Sequence, residues 1–168
     1  YMLSTLPEHV TLVSSVDEIT ASRFKLAIIG SPRSYKEEFS IHTVHYIPRC
    51  IHVGIGLAHQ AQPADEILSE IHSCIEASGM CLEAIADYNT IDVKADEPVV
   101  KLLQENGAIV NFHTAEELAK VVVPNPSETV RTHIGTPSVS EASAMLHGTL
   151  LTPKQKGTKW TVATSINK

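Results

Sequence analysis

The chain has 168 residues, of which 43% are hydrophobic and 19% are charged, and its formal net charge is −6 at pH 7. This length and hydrophobic content predict one globular domain, or one domain with part of another. The acidic balance argues against nucleic acid or an anionic membrane as the main partner. No apolar run reaches the roughly 18 to 20 residues that span a bilayer, and no signal-peptide pattern is present, so we expect a cytoplasmic protein.

The first part of the chain predicts a strand, a short helix and a second strand, at residues 10–13, 15–18 and 24–29. Ser15 and Glu18 have the spacing of a capping box, which predicts the start of the helix. The polar, turn-rich stretch over residues 31–48 is typical of a linker. We therefore predict a small α/β fragment and linker over residues 1–48 and a separate domain over residues 49–168.

Strands and helices alternate from Cys50 onward. The apolar pattern predicts strands at 51–55, 90–94 and 108–112, helices at 63–78, 97–106 and 114–121, and a short helix near 82–86. Thr114 and Glu117 have the spacing of a capping box, which predicts the start of the third helix. Two final strand-like runs, 149–151 and 160–166, with a lysine-bearing turn between them, predict an antiparallel pair. Helices that alternate with strands cover both faces of a sheet, so we predict an α/β fold with three αβα layers and a mixed, mainly parallel sheet.

The cysteines and histidines give no metal or disulfide signal. Three cysteines are an odd number without a Cys-x-x-Cys pair, which favours buried small thiols. His42, His45 and His52 lie close together, but no carboxylate or thiolate partner stands at a zinc-type spacing. We therefore expect no metal site in the protein.

The segment Val53-Gly54-Ile55-Gly56 lies between a predicted strand and a predicted helix. Two glycines there predict an open turn in which a ligand reaches the main chain, and the N–H groups of a helix start attract anions. A purely structural turn is the alternative. The third glycine of a dinucleotide fingerprint and the Lys-Ser/Thr pair of a phosphate loop are absent, so neither NAD nor ATP is indicated.

A lysine and two acids follow the next strand, in Asp92-Val93-Lys94-Ala95-Asp96-Glu97. Open α/β sheets bind ligands at the ends of their strands, so Lys94 could pair with a substrate carboxylate and Glu97 could act as a base. The structural alternative is that Asp96 caps the following helix and that Glu97 complements its dipole.

A rigid helix start is predicted at Asn125-Pro126-Ser127-Glu128. Asn125 would cap, Pro126 would take the first helical position, and Glu128 would reach back at the third. This geometry can be purely structural, or it can present Asn125 and the Ser127 hydroxyl to a carboxylate.

Ser138 and Glu141 have the spacing of another capping box, again at a possible anion site. Lys154 and Lys156, with Lys159 nearby, form either a solvated turn or a patch that neutralises an acidic ligand. The chain has no Gly-x-Ser-x-Gly elbow and no recognisable serine hydrolase motif, so it does not predict covalent acyl transfer.

Five motifs, taken in order, resemble the C-terminal domain of the cobalamin biosynthesis protein CbiG and its single-domain relative CobE. They are Val53–Gly56, Ile91–Pro98, Val123–Glu128, Gly135–Ala142 and Lys154–Lys156. Residues 1–48 resemble the end of the middle domain of CbiG, which favours CbiG over CobE and implies further domains before this chain.

The resemblance implies a cobalt-precorrin-5A hydrolase, which opens the ring-A δ-lactone of its substrate and releases acetaldehyde. Its partner would be a cobalt corrinoid; cobalt belongs to that substrate, so no cofactor is expected. Its candidate catalytic residues here are Glu97 and Glu128, and its candidate substrate-binding residues are Gly54, Gly56, His59, Lys94, Asn125, Ser127, Ser138, Lys154 and Lys156. A CobE-like tetrapyrrole carrier without its own chemistry is the alternative, and an assembly unit, such as a homodimer, is a third.

The chain departs from this family at one place. Where the family typically has Cys-Arg-Arg-Gly, this chain has Leu57-Ala58-His59-Gln60. Two permanent positive charges are therefore missing from the expected anion site, and a histidine replaces an arginine only in its protonated form. We expect weaker or differently shaped anion binding there.

Overall fold

The computed structural model describes residues 6–35, 39–126 and 138–167. The chain forms two compact units, one from Tyr1–Ser31 and Tyr35–Tyr46 and the other from Pro32–Ser34 and Ile47–Lys168. The assignment of the first part of the chain to a CbiG-type middle domain stays a prediction. No helix in the described ranges is long and apolar enough to cross a bilayer.

The first unit contains two parallel strands, β1 (Leu26–Gly30) and β2 (His42–Tyr46). The capping box of Ser15 and Glu18 is confirmed, and it begins a 3-10 helix over Val16–Glu18. Two other predictions are wrong. Residues 10–13 form no strand, because no described segment pairs with them, and β2 lies inside the predicted linker. The sequence of β2, His-Thr-Val-His-Tyr, is largely polar and does not indicate a strand by itself. The strand forms because it pairs with β1, which lies elsewhere in the chain.

The second unit contains a five-stranded mixed sheet in the order β5-β4-β3-β7-β6. Its strands are β3 (Ile51–Leu57), β4 (Ile85–Ile91), β5 (Val110–His113), β6 (Gly148–Lys156) and β7 (Trp160–Asn167). The first three are mutually parallel, whereas β7 is antiparallel to both β3 and β6. The predicted mixed sheet with a final antiparallel pair is therefore confirmed.

Helices cover both faces of this sheet. They are α1 (Ala64–Ala77), α2 (Pro98–Glu105), α3 (Ala115–Ala119) and α4 (Val139–Met145). Apolar residues of α1 and α2 pack with Val53 and Ile55 of β3 in the main core. On the other face, Leu118 of α3 packs in a smaller core with residues of α4. This arrangement is the predicted three-layer αβα fold.

Strand β4 differs most from its prediction. It begins at Ile85, and residues 92–94, predicted as its end, form a 3-10 turn instead. The helix predicted near residues 82–86 is one 3-10 turn, Leu82–Ala84. Asn89 and Thr90 are buried in β4, where their side chains are hydrogen-bonded. These polar residues interrupt the apolar pattern from which a buried strand is predicted.

The predicted helix starts have mixed outcomes. The capping box of Thr114 and Glu117 is confirmed. Asp96 is not a cap, because Glu97 takes that position before Pro98. The predicted box of Ser138 is also wrong: Ser138 precedes α4 but makes no capping hydrogen bond. The helix start predicted after Asn125 lies outside the described residues from residue 127 onward.

Candidate functional site

A pocket of about 450 Å³ lies where β3 and the turn after β4 meet the hairpin of β6 and β7. Each of the five sequence motifs contributes at least one residue to its lining. These residues are Gly56, Lys94, Pro126, Ser138, Lys154 and Lys156. Segments separated by up to about a hundred positions in the chain therefore meet at one edge of the sheet, the edge at which open α/β sheets bind ligands.

The pocket is cationic on an acidic protein. Lys94, Lys154, Lys156 and Lys159 line it, and no Asp or Glu is among the described lining residues. Apolar residues accompany these charges in the lining, among them Leu57, Ile91 and Val139. A concave site with apolar walls and convergent cations suits a ligand that has an apolar body and carboxylate groups.

Lys94 is held by Glu97 in the wall of the pocket. Its Nζ donates to Glu97 Oε1 at 2.9 Å, and both side chains are largely buried. Glu97 also accepts from Ala61 N at 3.3 Å and contacts His59 Nδ1 at 3.4 Å. Burial raises the pKa of the Glu97 carboxyl, but Lys94, the Ala61 N–H and His59 outweigh burial and hold that pKa below its usual value.

We expect this pair to make the fold acid-sensitive. Because the pKa of Glu97 is lower in the folded than in the unfolded chain, the unfolded chain takes up the proton first as the pH falls. The stabilisation is complete above about pH 4.5 and is lost as the pH falls through the folded value. Urea unfolding at a series of pH values measures this loss. It should be smaller in Glu97→Gln, and an equal loss in both proteins would contradict the assignment.

Glu141, on helix α4, joins this helix to the Asn125 segment and to strand β6 in the wall of the pocket. Its side chain is fully buried and accepts from Asn125 N at 3.1 Å, Asn125 Nδ2 at 2.7 Å and Lys154 N at 3.0 Å. Lys154 Nζ in turn donates to Asn125 O at 2.6 Å. The pairing of β6 with β7 is irregular between Thr152 and Gln155, and the Lys154 N–H there donates to Glu141 instead of to β7. Glu141 thus fixes β6 and the Asn125 segment against α4.

The two glycines predicted as a turn at a helix start lie inside strand β3, and that prediction is wrong. Gly54 pairs with β4 on one side and β7 on the other. A Cβ at Gly54 would collide with the Ser140 carbonyl of α4, so this glycine allows the helix to approach the sheet. Gly56 does line the pocket. The predicted glycine turn was inferred from the helix that follows, but α1 begins only at Ala64.

The remaining candidate residues have different positions. His59 is 84% exposed and contacts Glu97 rather than the pocket. Asn125 turns its amide to Glu141. Ser127 and Glu128 lie outside the described residues. Lys154 and Lys156, expected in a turn, belong to β6.

Trp160 and Thr161 are among the lining residues that sequence reasoning missed. Trp160 packs against Gly157 in the tight hairpin, and its Nε1 donates to Glu70 at 2.6 Å. Thr161 follows it on β7. Threonine is common in strands, so a threonine at this position does not by itself indicate a binding site. Thr161 lies beside Gly56 because of the order of the strands in the sheet.

The cysteines offer no activated thiol. Cys50, Cys74 and Cys81 are free and partly buried. Burial raises the pKa of each thiol, and Glu83 raises that of Cys81 further. Raised pKa values leave these sulfurs protonated at neutral pH, which is the inert state of a cysteine.

The three histidines of the sequence cluster are divided between two strands. His42 and His45 belong to β2, and His52 belongs to β3. His52 Nδ1 lies 2.8 Å from Asp87 Oδ1. Within residues 6–35, 39–126 and 138–167, no group of three or more His, Cys, Asp or Glu side chains is arranged to hold a metal ion.

The solved structures most useful for comparison belong to cobalamin biosynthesis proteins. CobE shares 24% identity with this chain at a TM-score of 0.63, over 73% of this chain and 93% of CobE. A cobalamin biosynthesis protein G homolog from Sulfolobus solfataricus has 23% identity and a TM-score of 0.54, over 84% of this chain and 44% of that protein. A protein named chiG from Agrobacterium tumefaciens has 24% identity and a TM-score of 0.52, over 70% of this chain and 98% of that protein. These similarities show a shared fold.

Sequence comparisons identify the family. A curated protein of Priestia megaterium, named cobalt-precorrin-5A hydrolase, is 24% identical over 168 residues, and the match covers 96% of this chain but 45% of that protein. This chain therefore spans a little under half the length of that relative. The family model described as "Cobalamin synthesis G C-terminus" matches residues 51–165. Because that match covers more than half of the chain, the chain belongs to the family of cobalamin synthesis G C-terminal domains.

Proposed function

We propose that this chain acts in cobalamin biosynthesis as the C-terminal part of a cobalt-precorrin-5A hydrolase. The reaction would open the ring-A δ-lactone by hydrolysis, release acetaldehyde and give cobalt-precorrin-5B. The observation that carries the proposal is the lysine-lined pocket, to which all five family motifs contribute. The name of the curated relative supports the same reaction.

The chemistry of the ligand fits the pocket. A precorrin has an apolar ring with acetate and propionate arms, and Lys94, Lys154 and Lys156 provide charges of the opposite sign beside apolar walls. Cobalt would be bound by the nitrogens of the ring and would enter with the substrate. The protein then has to bind the arms and supply groups for hydrolysis.

Hydrolysis of the lactone needs a base for water and a donor for the developing oxyanion. We propose Glu97 and Glu128 as the candidate bases. Gly54 was a candidate substrate-binding residue, but its backbone lies between two strands. We assign the role of oxyanion donor to Lys94, which lines the pocket and keeps two N–H donors beyond its bond to Glu97.

An absorbance titration of the 168-residue chain with cobalt-precorrin-5A tests binding. We expect saturable binding that weakens at raised salt, because exposed charges are screened. Cobalamin, whose side arms are amides, is the control ligand and should bind more weakly. Equal binding of both ligands, or no binding of cobalt-precorrin-5A, would contradict a carboxylate site.

Release of acetaldehyde from the bound substrate then tests catalysis. If Glu97 or Glu128 is the base, Glu97→Gln or Glu128→Gln should slow release about a hundredfold. Glu105→Gln, an exposed change at the end of α2, is the matched control.

A tetrapyrrole carrier is the second candidate. It is favoured by the absence of any acid or histidine among the described lining residues and by the engagement of Glu97 in hydrogen bonds with Lys94 and Ala61. Tight binding of cobalt-precorrin-5A without acetaldehyde release, in this chain and in the longer protein, would establish the carrier.

A further inference from the structure

Three residues stand side by side across three strands at the pocket. Gly56 of β3 is in register with Thr161 of β7, and Thr161 is in register with Lys156 of β6. Side chains of register partners project from the same face of a sheet, so Thr161 and Lys156 point to the face that Gly56 leaves open. A Cβ at Gly56 would collide with the Thr161 hydroxyl, which therefore leans over the glycine.

The four lysines of the pocket differ in what their ammonium groups already bind. Lys94 donates to Glu97 Oε1 at 2.9 Å, Lys154 to Asn125 O at 2.6 Å, and Lys159 to Gln62 O at 2.7 Å. Among the residues that the structure describes, no acceptor is bonded to Lys156. Of these four ammonium groups, that of Lys156 is therefore the one with no acceptor among the described residues, and it can bind a ligand without breaking a bond seen there.

Two residues that line the pocket with Lys156 have hydroxyl groups without a hydrogen-bond partner among the described residues. No hydrogen bond joins the Thr161 hydroxyl to another described residue. Ser138, which lines the same pocket, is 2% exposed, and its buried hydroxyl has no partner in the described part of the chain. Buried hydroxyls in folded proteins nearly always have partners, so an unpaired one marks hydrogen-bonding capacity that a ligand or water can use.

We propose that Lys156 and Thr161 form the subsite that binds one carboxylate arm of the ligand, and that Lys154 and Lys159 build the pocket walls. The proposal rests on the proposed function for the identity of the ligand. At about 450 Å³ the pocket lies in the lower half of the range that holds drug-sized ligands. It therefore accommodates an arm and the adjoining edge of a macrocycle, while the rest of the ring stays outside.

A set of matched variants tests this subsite by titration with cobalt-precorrin-5A. Lys156→Gln should weaken binding about tenfold, because it removes a charge-assisted hydrogen bond, and Thr161→Val should weaken it about threefold to tenfold. Lys159→Gln makes the same change of charge in the same hairpin and should alter affinity by less than about threefold, because its charge acts only at a distance. Thermal unfolding of each variant is the control that checks whether the variant is still folded.

Equal weakening by Lys156→Gln and Lys159→Gln would overturn the proposal, because it would mean that net charge alone attracts the ligand. A second probe separates this outcome from a failure of the proposed function. Propionate, titrated into the isotopically labelled chain at high concentration, should shift the backbone amide resonances of Lys156 and Thr161. If these resonances shift but cobalt-precorrin-5A does not bind, the subsite stands and the proposed function falls. If neither ligand perturbs them, the subsite is overturned.

Discussion

Replacement of Gly54 by alanine is expected to lower the free energy of unfolding of the second unit by about 3 kcal/mol. The added Cβ would meet the Ser140 carbonyl, and it would lie 2.7 Å from Ser143 Oγ and 2.8 Å from Ala144 N. Two of these three atoms belong to the backbone of α4, so no side-chain rotation relieves the contact. The helix has to move away from β3. Urea unfolding measures the loss.

Gly30→Ala is the control for this prediction. Gly30 is also a strand glycine, but a Cβ there would have no neighbour within 4 Å. Its replacement should leave stability nearly unchanged. If Gly54→Ala were equally harmless, then α4 would not depend on close contact at this glycine, and the packing described for β3 would be incorrect.

Replacement of Glu141 by glutamine is expected to cost about 2 kcal/mol and to loosen the pocket. The carboxylate accepts three hydrogen bonds from N–H groups of Asn125 and Lys154. An amide at this position turns an NH₂ group toward at least one of those donors, so a buried N–H loses its acceptor. Urea unfolding measures the cost, and amide hydrogen exchange at Asn125 and Lys154 should become faster.

Glu116→Gln provides the comparison on the same face of the sheet. The Glu116 side chain is 85% exposed and pairs only with Lys120, so its neutralisation should leave stability within experimental error of the original chain. Unchanged hydrogen exchange in Glu141→Gln would show that Glu141 does not hold the Asn125 segment against β6.

The pocket follows from the arrangement of whole segments rather than from one motif. Lys94 follows one parallel strand, and Lys156 is brought back by the antiparallel hairpin that places β7 beside β3. The proposed recognition of a carboxylate at Lys156 depends on this arrangement. A chain with the same motifs and a different strand order would not bring Thr161 between Gly56 and Lys156.

Secondary structure was predictable where a local pattern coincides with burial. Helix α1 was found because Ile67, Leu68, Ile71 and Ile75 recur at helical spacing and all four are buried. The capping box at Thr114 was found because its hydrogen bonds join residues three positions apart. The extent of β4 was not predictable, because polar residues such as Asn89 are buried in it through partners on other strands.

The lining of the pocket was predictable only in part, since it contains five of the nine candidate substrate-binding residues. Gly56, Lys94, Ser138, Lys154 and Lys156 were expected at a binding site and do line one pocket. Their roles were not predictable, because nothing in the sequence distinguishes Gly54 from Gly56 or one of these lysines from another. Gly54 accommodates a helix, Gly56 opens the pocket, and the lysines differ in the acceptors that they have already engaged.

The sequence by itself determined the α/β class, the helices on both faces, the antiparallel final pair and five of the residues that line the pocket, because these depend on short-range periodicity and on motifs read along the chain. Only the tertiary structure decided that Lys156 has no acceptor in the described part of the chain, that Glu141 fixes the pocket wall and that Gly54 and Gly56 belong to a strand. Those properties depend on contacts between residues far apart in the chain, which leave no local signal.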